Sequence, residues 1–197
     1  MIYNEAGALP ETVILASGSP RRRELLGKMG ISFEIDVPDV DEAVDGRPEE
    51  MVAVLAERKA RAVAERRKTG MIVAADTLVA LDNRALGKPT DEKDAVEMLR
   101  ALSGRTHDVF TGVCVLDAES GRCMVSAVRT GVCFRAISEE EIAAYVATGE
   151  PMDKAGAYAI QGGAGAFVIG YEGSRTNVIG LPVERLGEML RTMNGSR

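Results

Sequence analysis

The sequence predicts an α/β protein: a mixed β-sheet with helices packed on it. Three observations lead there. Short runs rich in β-branched residues alternate with segments of helical period. Helix-start signals follow several of those runs directly. Two long apolar stretches lie either side of Glu119-Ser120-Gly121, which reads as a hairpin and hence an antiparallel pair inside the sheet. The chain has 197 residues, 46% apolar and 27% charged, enough to bury one core without staples. Residues 12–197 are expected to form that single domain, with residues 1–11 a leader before it.

Residues 12–16 (TVILA) are a short buried strand, ended by Ser17-Gly18-Ser19-Pro20. Ser19 suits an N-cap and Pro20 the first helical position, so a helix runs to about Met29 and Gly30 closes it. Residues 31–37 alternate as a second strand, and an acidic loop follows from Asp39 to Asp45. Residues 48–68 read as a long helix, opening on Pro48 and two glutamates and ending in basic residues, in accord with the helix dipole. Residues 71–81 (MIVAADTLVAL) are a buried strand that Asp76 and Thr77 are expected to interrupt. A turn at Asp82-Asn83-Arg84 and a short return lead to Gly87-Lys88-Pro89, and Thr90 caps a helix to about Leu102. Residues 107–117 and 122–136 are the paired strands. Ser138 with Glu141 forms a capping box for a helix to about Thr148. Residues 153–180 are rich in glycine, with a strand near Phe167–Ile169, and Pro182 starts a last helix to about Met193.

Composition excludes several classes of function. The formal charge is -6, the wrong sign for a protein that grips a nucleic-acid backbone over a broad surface. No run approaches the ~20 apolar residues of a membrane span. Residues 1–10 carry neither the basic nor the apolar region of a signal peptide, so a cytoplasmic location is expected. Cys114, Cys123 and Cys133 sit in apolar runs without a CxxC, which favours reduced core thiols over zinc or a disulfide framework. The one histidine, His107, would have to serve any histidine-based triad or metal site. Chemistry by carboxylates, lysines, arginines and a hard cation such as Mg²⁺ is the simpler expectation.

Five constellations could carry that chemistry. Ser17-Gly18-Ser19-Pro20-Arg21-Arg22-Arg23 lies at a strand-to-helix turn, where free N–H groups, hydroxyls and guanidiniums suit phosphate oxygens; a capped helix with solvated arginines is the alternative. Asp76 with Thr77 puts a carboxylate in an apolar strand, which needs a partner, a metal or a cleft at the strand's end. Lys59 interrupts the stripe Val52, Ala56, Val63 on the 48–68 helix and either snorkels or points at a phosphate. Lys88 is a second candidate cation on a constrained turn. One member of Asp39, Asp41, Glu42 and Asp45 could hold Mg²⁺ if it neared the arginine turn, though such runs are commonly solvated. The stretch 153–163 (DKAGAYAIQGG) is either a flexible loop or a close-fitting wall whose Gln161 reads a base edge.

SGSPRRRELL, AADTLVA, Gly87-Lys88-Pro89, LSGRTHDVFTG, DKAGAYAIQG and NVIGLP occur here in the order found in the Maf family of nucleotide pyrophosphatases, and the chain resembles that family from about Val13 to Leu190. The resemblance implies the fold of the inosine triphosphate pyrophosphatases, a long mixed sheet flanked by helices with a cleft between two lobes. It implies hydrolysis of a nucleoside triphosphate to the monophosphate and pyrophosphate, with Mg²⁺ or Mn²⁺. By position, Asp76 matches the family's proton acceptor, and Ser17, Ser19, Arg21 and Arg22 match its phosphate-binding loop. Glu42, Lys59 and Lys88 match other polar residues of the cleft, with Glu42 and Asp76 as metal ligands and Lys59 and Lys88 beside Asp76 in catalysis. Arg21, Thr77 and Gln161 match the positions that mark the subgroup acting on dTTP and UTP; Arg175 stands where the family commonly has tyrosine. The partners implied are the nucleotide substrate and a second copy in a homodimer, with neither nucleic acid nor membrane. The family's link to septum formation keeps a second reading open, a nucleotide-binding regulator of division acting through partner contact.

Overall fold

The computed structural model describes residues 8–195; most of the expected leader, residues 1–7, lies outside the described residues. Seven strands form one sheet in the order β2-β1-β3-β5-β6-β7, with β4 paired to β3 off that path. In chain order the elements are β1 (Thr12–Leu15), α1 (Pro20–Lys28), β2 (Ser32–Ile35), α2 (Pro48–Ala64), β3 (Met71–Leu81), β4 (Arg84–Leu86), α3 (Glu92–Leu102), β5 (Thr106–Asp117), β6 (Cys123–Phe134), α4 (Glu139–Val146), β7 (Val168–Glu172), α5 (Arg175–Ile179) and α6 (Val183–Asn194). Strands β2, β1 and β3 are mutually parallel, and β3, β5, β6 and β7 are antiparallel. The sheet is therefore mixed, as the sequence predicts.

Helices cover both faces. Even-numbered residues of β3 face α2: Ile72 and Ala74 pack with Ala56, Ala60 and Val63. Odd-numbered residues face the other way, where Val73 and Ala75 pack with Leu25, Leu26, Leu186 and Leu190 of α1 and α6. A separate apolar cluster at the far end joins Val79 to α3 and α4 through Leu99, Leu102, Ile142 and Phe134. Leu9 packs against the α1/α6 cluster, and Asn194 Nδ2 donates to Ala8 O at 2.9 Å.

Three departures from the sequence-based expectations matter for the site. First, β3 is continuous through Asp76 and Thr77, with the β5 ladder unbroken from Met71↔Asp117 to Ala80↔Asp108. Gly112 of β5 lies opposite Asp76. A Cβ there would come within 2.0 Å of Val52 O on α2, so this glycine lets α2 ride directly on the sheet. Two helical turns on from Val52, Lys59 is thereby carried over Asp76. Second, the glycine-rich stretch holds three short 3-10 turns, Glu150–Asp153, Ala155–Ala157 and Gly163–Phe167. Third, Arg175–Ile179 is helical, capped by Ser174, whose side chain accepts from Asn177 N. Elsewhere the bounds move by a few residues: α2 stops at Ala64, and Asp91 rather than Thr90 caps α3. The return after β3 is a true hairpin, its turn made by Asp82 (φ 51°) and Asn83 (φ 62°), the left-handed pair that a two-residue connection requires.

Candidate active site

A cleft of about 630 Å³ opens where β3 changes partners. On one edge β3 pairs with β1 as far as Val73, and Ala16 N donates to Val73 O at 2.8 Å. That edge next pairs at Val79, with Leu86 of β4. Between those points it has no neighbouring strand. The gap lies beyond the carboxyl ends of the parallel strands, where open α/β sheets hold ligands. Since alternate side chains leave a strand on opposite faces, Asp76 enters from the α2 side and Thr77 from the α1/α5 side.

Ten of the residues singled out from the sequence line this cleft: Ser17, Ser19, Arg21, Arg22, Glu42, Lys59, Asp76, Thr77, Lys88 and Gln161. Of the acidic loop only Glu42 does so; Asp39 and Asp41 border a separate shallow groove against α2. Arg175 is exposed and lies outside the lining.

On the α2 side three charges meet. Lys59 Nζ lies 2.6 Å from Asp76 Oδ1 and 2.6 Å from Glu42 Oε1. Lys59 and Asp76 are largely buried, whereas the Glu42 side chain is 58% exposed. The hydrogen bond from Lys59 holds the Glu42 carboxyl below the usual glutamate value. The acidic loop is tied down by α2 and the residues after it: Arg58 Nη1 donates to the carbonyls of Asp41 and Ala43, and Arg66 and Arg67 pair with Asp36.

The other side is a closed network. Arg22 donates through Nε to Gly180 O (2.8 Å), through Nη1 to Ser17 Oγ (3.2 Å) and through Nη2 to Thr77 Oγ1 (3.2 Å). It thereby pins the turn after β1 to β3 and to the end of α5. Burial holds its pKa below the usual arginine value, with Asp76 opposing that effect. Thr77 Oγ1 lies 3.0 Å from Thr111 Oγ1, and Thr111 donates to Asn177 O at 2.9 Å. Thr111 has one hydroxyl proton, so Thr77 is the donor between the two threonines. Fully buried Asn177 donates through Nδ2 to Val109 O and Thr130 Oγ1, each at 3.0 Å.

Arg21 and Lys88 make no hydrogen bond or ion pair among the described residues. Ser19, the N-cap of α1, makes no side-chain cap bond, so its hydroxyl is free. The Gln161 side chain is exposed at the cleft and equally unengaged. Sequence reasoning missed Lys154, which lines the cleft paired with Asp153. It also missed the Thr111–Asn177 support, whose two residues lie in the LSGRTHDVFTG and NVIGLP motifs.

Glu42 Oε1 and Asp76 Oδ1 each lie 2.6 Å from the Lys59 ammonium, which fills the point on which they converge. Oxygen donors of this kind suit Mg²⁺ or Mn²⁺, which take one or two carboxylates and fill the remaining positions with water and substrate phosphates. Among the described residues no group of three or more His, Cys, Asp or Glu side chains could hold a metal.

Fold and site together define an α/β protein with a cation-rich, carboxylate-bearing cleft at a gap in its sheet, the class built for an anionic, phosphorylated ligand. Within that class, the chain belongs to the Maf-like protein family, which matches residues 12–193. A protein named dTTP/UTP pyrophosphatase from Pelotomaculum thermopropionicum is 52% identical over 181 residues, covering 91% of this chain and 95% of the relative. One of the same name from Nitratidesulfovibrio vulgaris is 54% identical over 182 residues, covering 90% and 86%. Another, from Dictyoglomus thermophilum, is 46% identical over 191 residues, covering 95% and 99%.

Proposed function

We propose that this protein is a nucleoside triphosphate pyrophosphatase that hydrolyses dTTP and UTP to the monophosphate and pyrophosphate. The observation that carries the reading is the Glu42–Lys59–Asp76 cluster, placed in the same cleft as the Ser17–Arg22 turn. Relatives at about half identity named dTTP/UTP pyrophosphatase support the substrate. A cytoplasmic location belongs to the reading on the sequence argument alone, as does a homodimer by resemblance.

The triphosphate lies across the gap in β3. Arg21 and Lys88, the uncommitted cations, meet its oxygens, with the Ser19 hydroxyl and the first-turn amides of α1 as further donors. Arg22 shapes the turn, and the second N–H on each of its terminal nitrogens remains for phosphate. Asp76 accepts the proton of a water that attacks the α-phosphorus. The bond from that phosphorus to the bridging oxygen breaks, and pyrophosphate leaves toward Lys88. Lys59 fixes the orientation of Asp76. Glu42 and Asp76 would hold a divalent cation, which supplies charge neutralisation over the triphosphate. At the other end Gln161 offers both a donor and an acceptor to the adjoining carbonyl and N–H of uracil or thymine. Thr77, its hydroxyl already donating to Thr111, supports that wall with a remaining lone pair.

The test is pyrophosphate release across a panel of nucleoside triphosphates with Mg²⁺ or Mn²⁺. UTP and dTTP are expected to lead the panel. Tight nucleotide binding with no pyrophosphate from any member would replace the enzyme with a binding-only regulator.

A further inference from the structure

The segment that presents Gln161 is held from outside the cleft by two residues to which neither the sequence motifs nor the catalytic reading gives a role. Tyr145 of α4 donates its hydroxyl to Glu150 Oε1 at 2.7 Å, and the Tyr145 phenol oxygen accepts the Ala159 amide at 3.3 Å. The second oxygen of Glu150 accepts the Gly163 amide at 3.2 Å. The chain is thus fastened two residues before Gln161 and two residues after it, to one phenol–carboxylate pair. Close packing reinforces the bonds. A Cβ on Gly162 would fall 2.0 Å from Glu150 Oε1, and one on Gly163 would fall 3.2 Å from the Tyr145 ring. Only a pair of glycines lets the backbone lie this near the carboxylate.

The pair is itself well anchored. Tyr145 is 6% exposed and packs edge-on against Phe167, with ring centroids 5.5 Å apart. Thr148 Oγ1 donates to Tyr145 O at 2.6 Å and accepts the Glu150 amide at 3.2 Å. Burial, with Glu150 adding to it, pushes the phenol pKa well up, so Tyr145 remains a hydroxyl donor at any pH the enzyme meets.

We infer that Tyr145 and Glu150 are positioning residues for base selectivity: they set the register of residues 159–163 so that the Gln161 amide meets a uracil-type edge. This rests on the proposal that Gln161 reads the base. Neither residue lines the cleft, so their loss should alter which base is accepted more than how fast a bound triphosphate is cleaved.

The experiment compares full-length wild type, Tyr145→Phe, Glu150→Gln and Gln161→Ala by pyrophosphate release from UTP and CTP, with Tm recorded for each. Tyr145→Phe removes the bridging hydroxyl; Glu150→Gln keeps the shape and serves if the first variant folds poorly. Each is expected to lower the UTP-to-CTP ratio of kcat/KM by about two- to tenfold, the worth of one misplaced hydrogen bond. The change should appear in KM for UTP, with kcat nearly constant. A ratio that holds in both while Gln161→Ala shifts it would make the pair a structural brace only and overturn the inference. A ratio unmoved by Gln161→Ala would remove Gln161 as the reader, and this inference with it. No pyrophosphate from the wild type would instead sink the underlying functional reading.

Discussion

The two sides of the cleft are built on opposite principles. On the Thr77 side fixed groups meet one another: Arg22 with Ser17, Thr77 and Gly180, then Thr77 with Thr111 and Thr111 with Asn177. On the Asp76 side a single ammonium holds two carboxylates; Lys88 after β4 and Arg21 at the start of α1 make no hydrogen bond or ion pair among the described residues. Adjacent residues of one strand, Asp76 and Thr77, thus belong to different regimes. The closed side keeps its shape without a ligand. The charged side is under-committed, and under the proposed function a polyanion and a cation would complete it. Removing a group from the closed side should cost stability, and removing one from the charged side should cost turnover.

Asp76→Asn tests the division most severely. The change keeps shape and one acceptor for Lys59 while removing the proposed proton acceptor. Turnover should fall by roughly 10²–10⁴-fold, the usual contribution of positioned general base catalysis, with the fold intact by circular dichroism. Near-normal kcat at saturating Mg²⁺ would make Asp76 a structural partner of Lys59.

Acid sensitivity should come from the closed interior. His107 is 2% exposed, its Nε2 lies 2.8 Å from the Tyr158 hydroxyl, and burial pushes its pKa down to about 4. A folded-state value below the unfolded one means the contribution is full above pH ~6.5 and is lost as pH falls toward 4. That loss amounts to about 3 kcal/mol. Urea midpoints measured from pH 7 to pH 4 should fall in the wild type and fall less in His107→Gln.

Two consecutive arginines give the cleanest contrast. Arg22→Lys keeps the charge but cannot reach three acceptors on three segments. Leaving acceptors unpaired should cost about 1–3 kcal/mol, a fall in Tm of roughly 2–4 °C per kcal/mol for a chain of this length. Arg21→Ala should leave Tm nearly unchanged and lower kcat/KM by about ten- to a hundredfold, through one lost charge-assisted contact. Reversal of the two outcomes would exchange the roles assigned to the two arginines.

These neighbours also mark how far the sequence could be read. The alternation of apolar runs and capping signals reveals nearly every strand and helix, and the motifs name the residues that line the cleft. Local sequence could not separate Arg21 from Arg22, because the acceptor that commits Arg22 is a carbonyl at Gly180, far along the chain. Asp76 reads as a break in a strand because its compensation, Lys59 over Gly112, is likewise non-local. The 3-10 turns and α5 stay hidden because glycine-rich composition fits a flexible loop equally well, and the bonds that order it are non-local: Tyr145 and Glu150 hold Ala159 and Gly163, and Asn177 reaches Val109 and Thr130.

The smallest expected effect lies at the mouth of the cleft, where neither regime governs. Gln161 is exposed and unengaged, so replacing it should disturb neither the closed network nor the charged cluster. Its amide offers a donor and an acceptor side by side, matching a uracil-type edge that presents a carbonyl next to an N–H. Gln161→Glu removes the donor and sets a negative charge beside the base carbonyl. The amino group of cytosine, by contrast, could donate to the new carboxylate. The kcat/KM for dTTP and UTP should therefore fall more than that for CTP, narrowing the UTP-to-CTP ratio by about tenfold, the worth of one misplaced hydrogen bond. Parallel decline of all three substrates at constant ratio would show that Gln161 only shapes the mouth. The base reader would then have to be sought elsewhere, first at exposed Arg175 outside the lining.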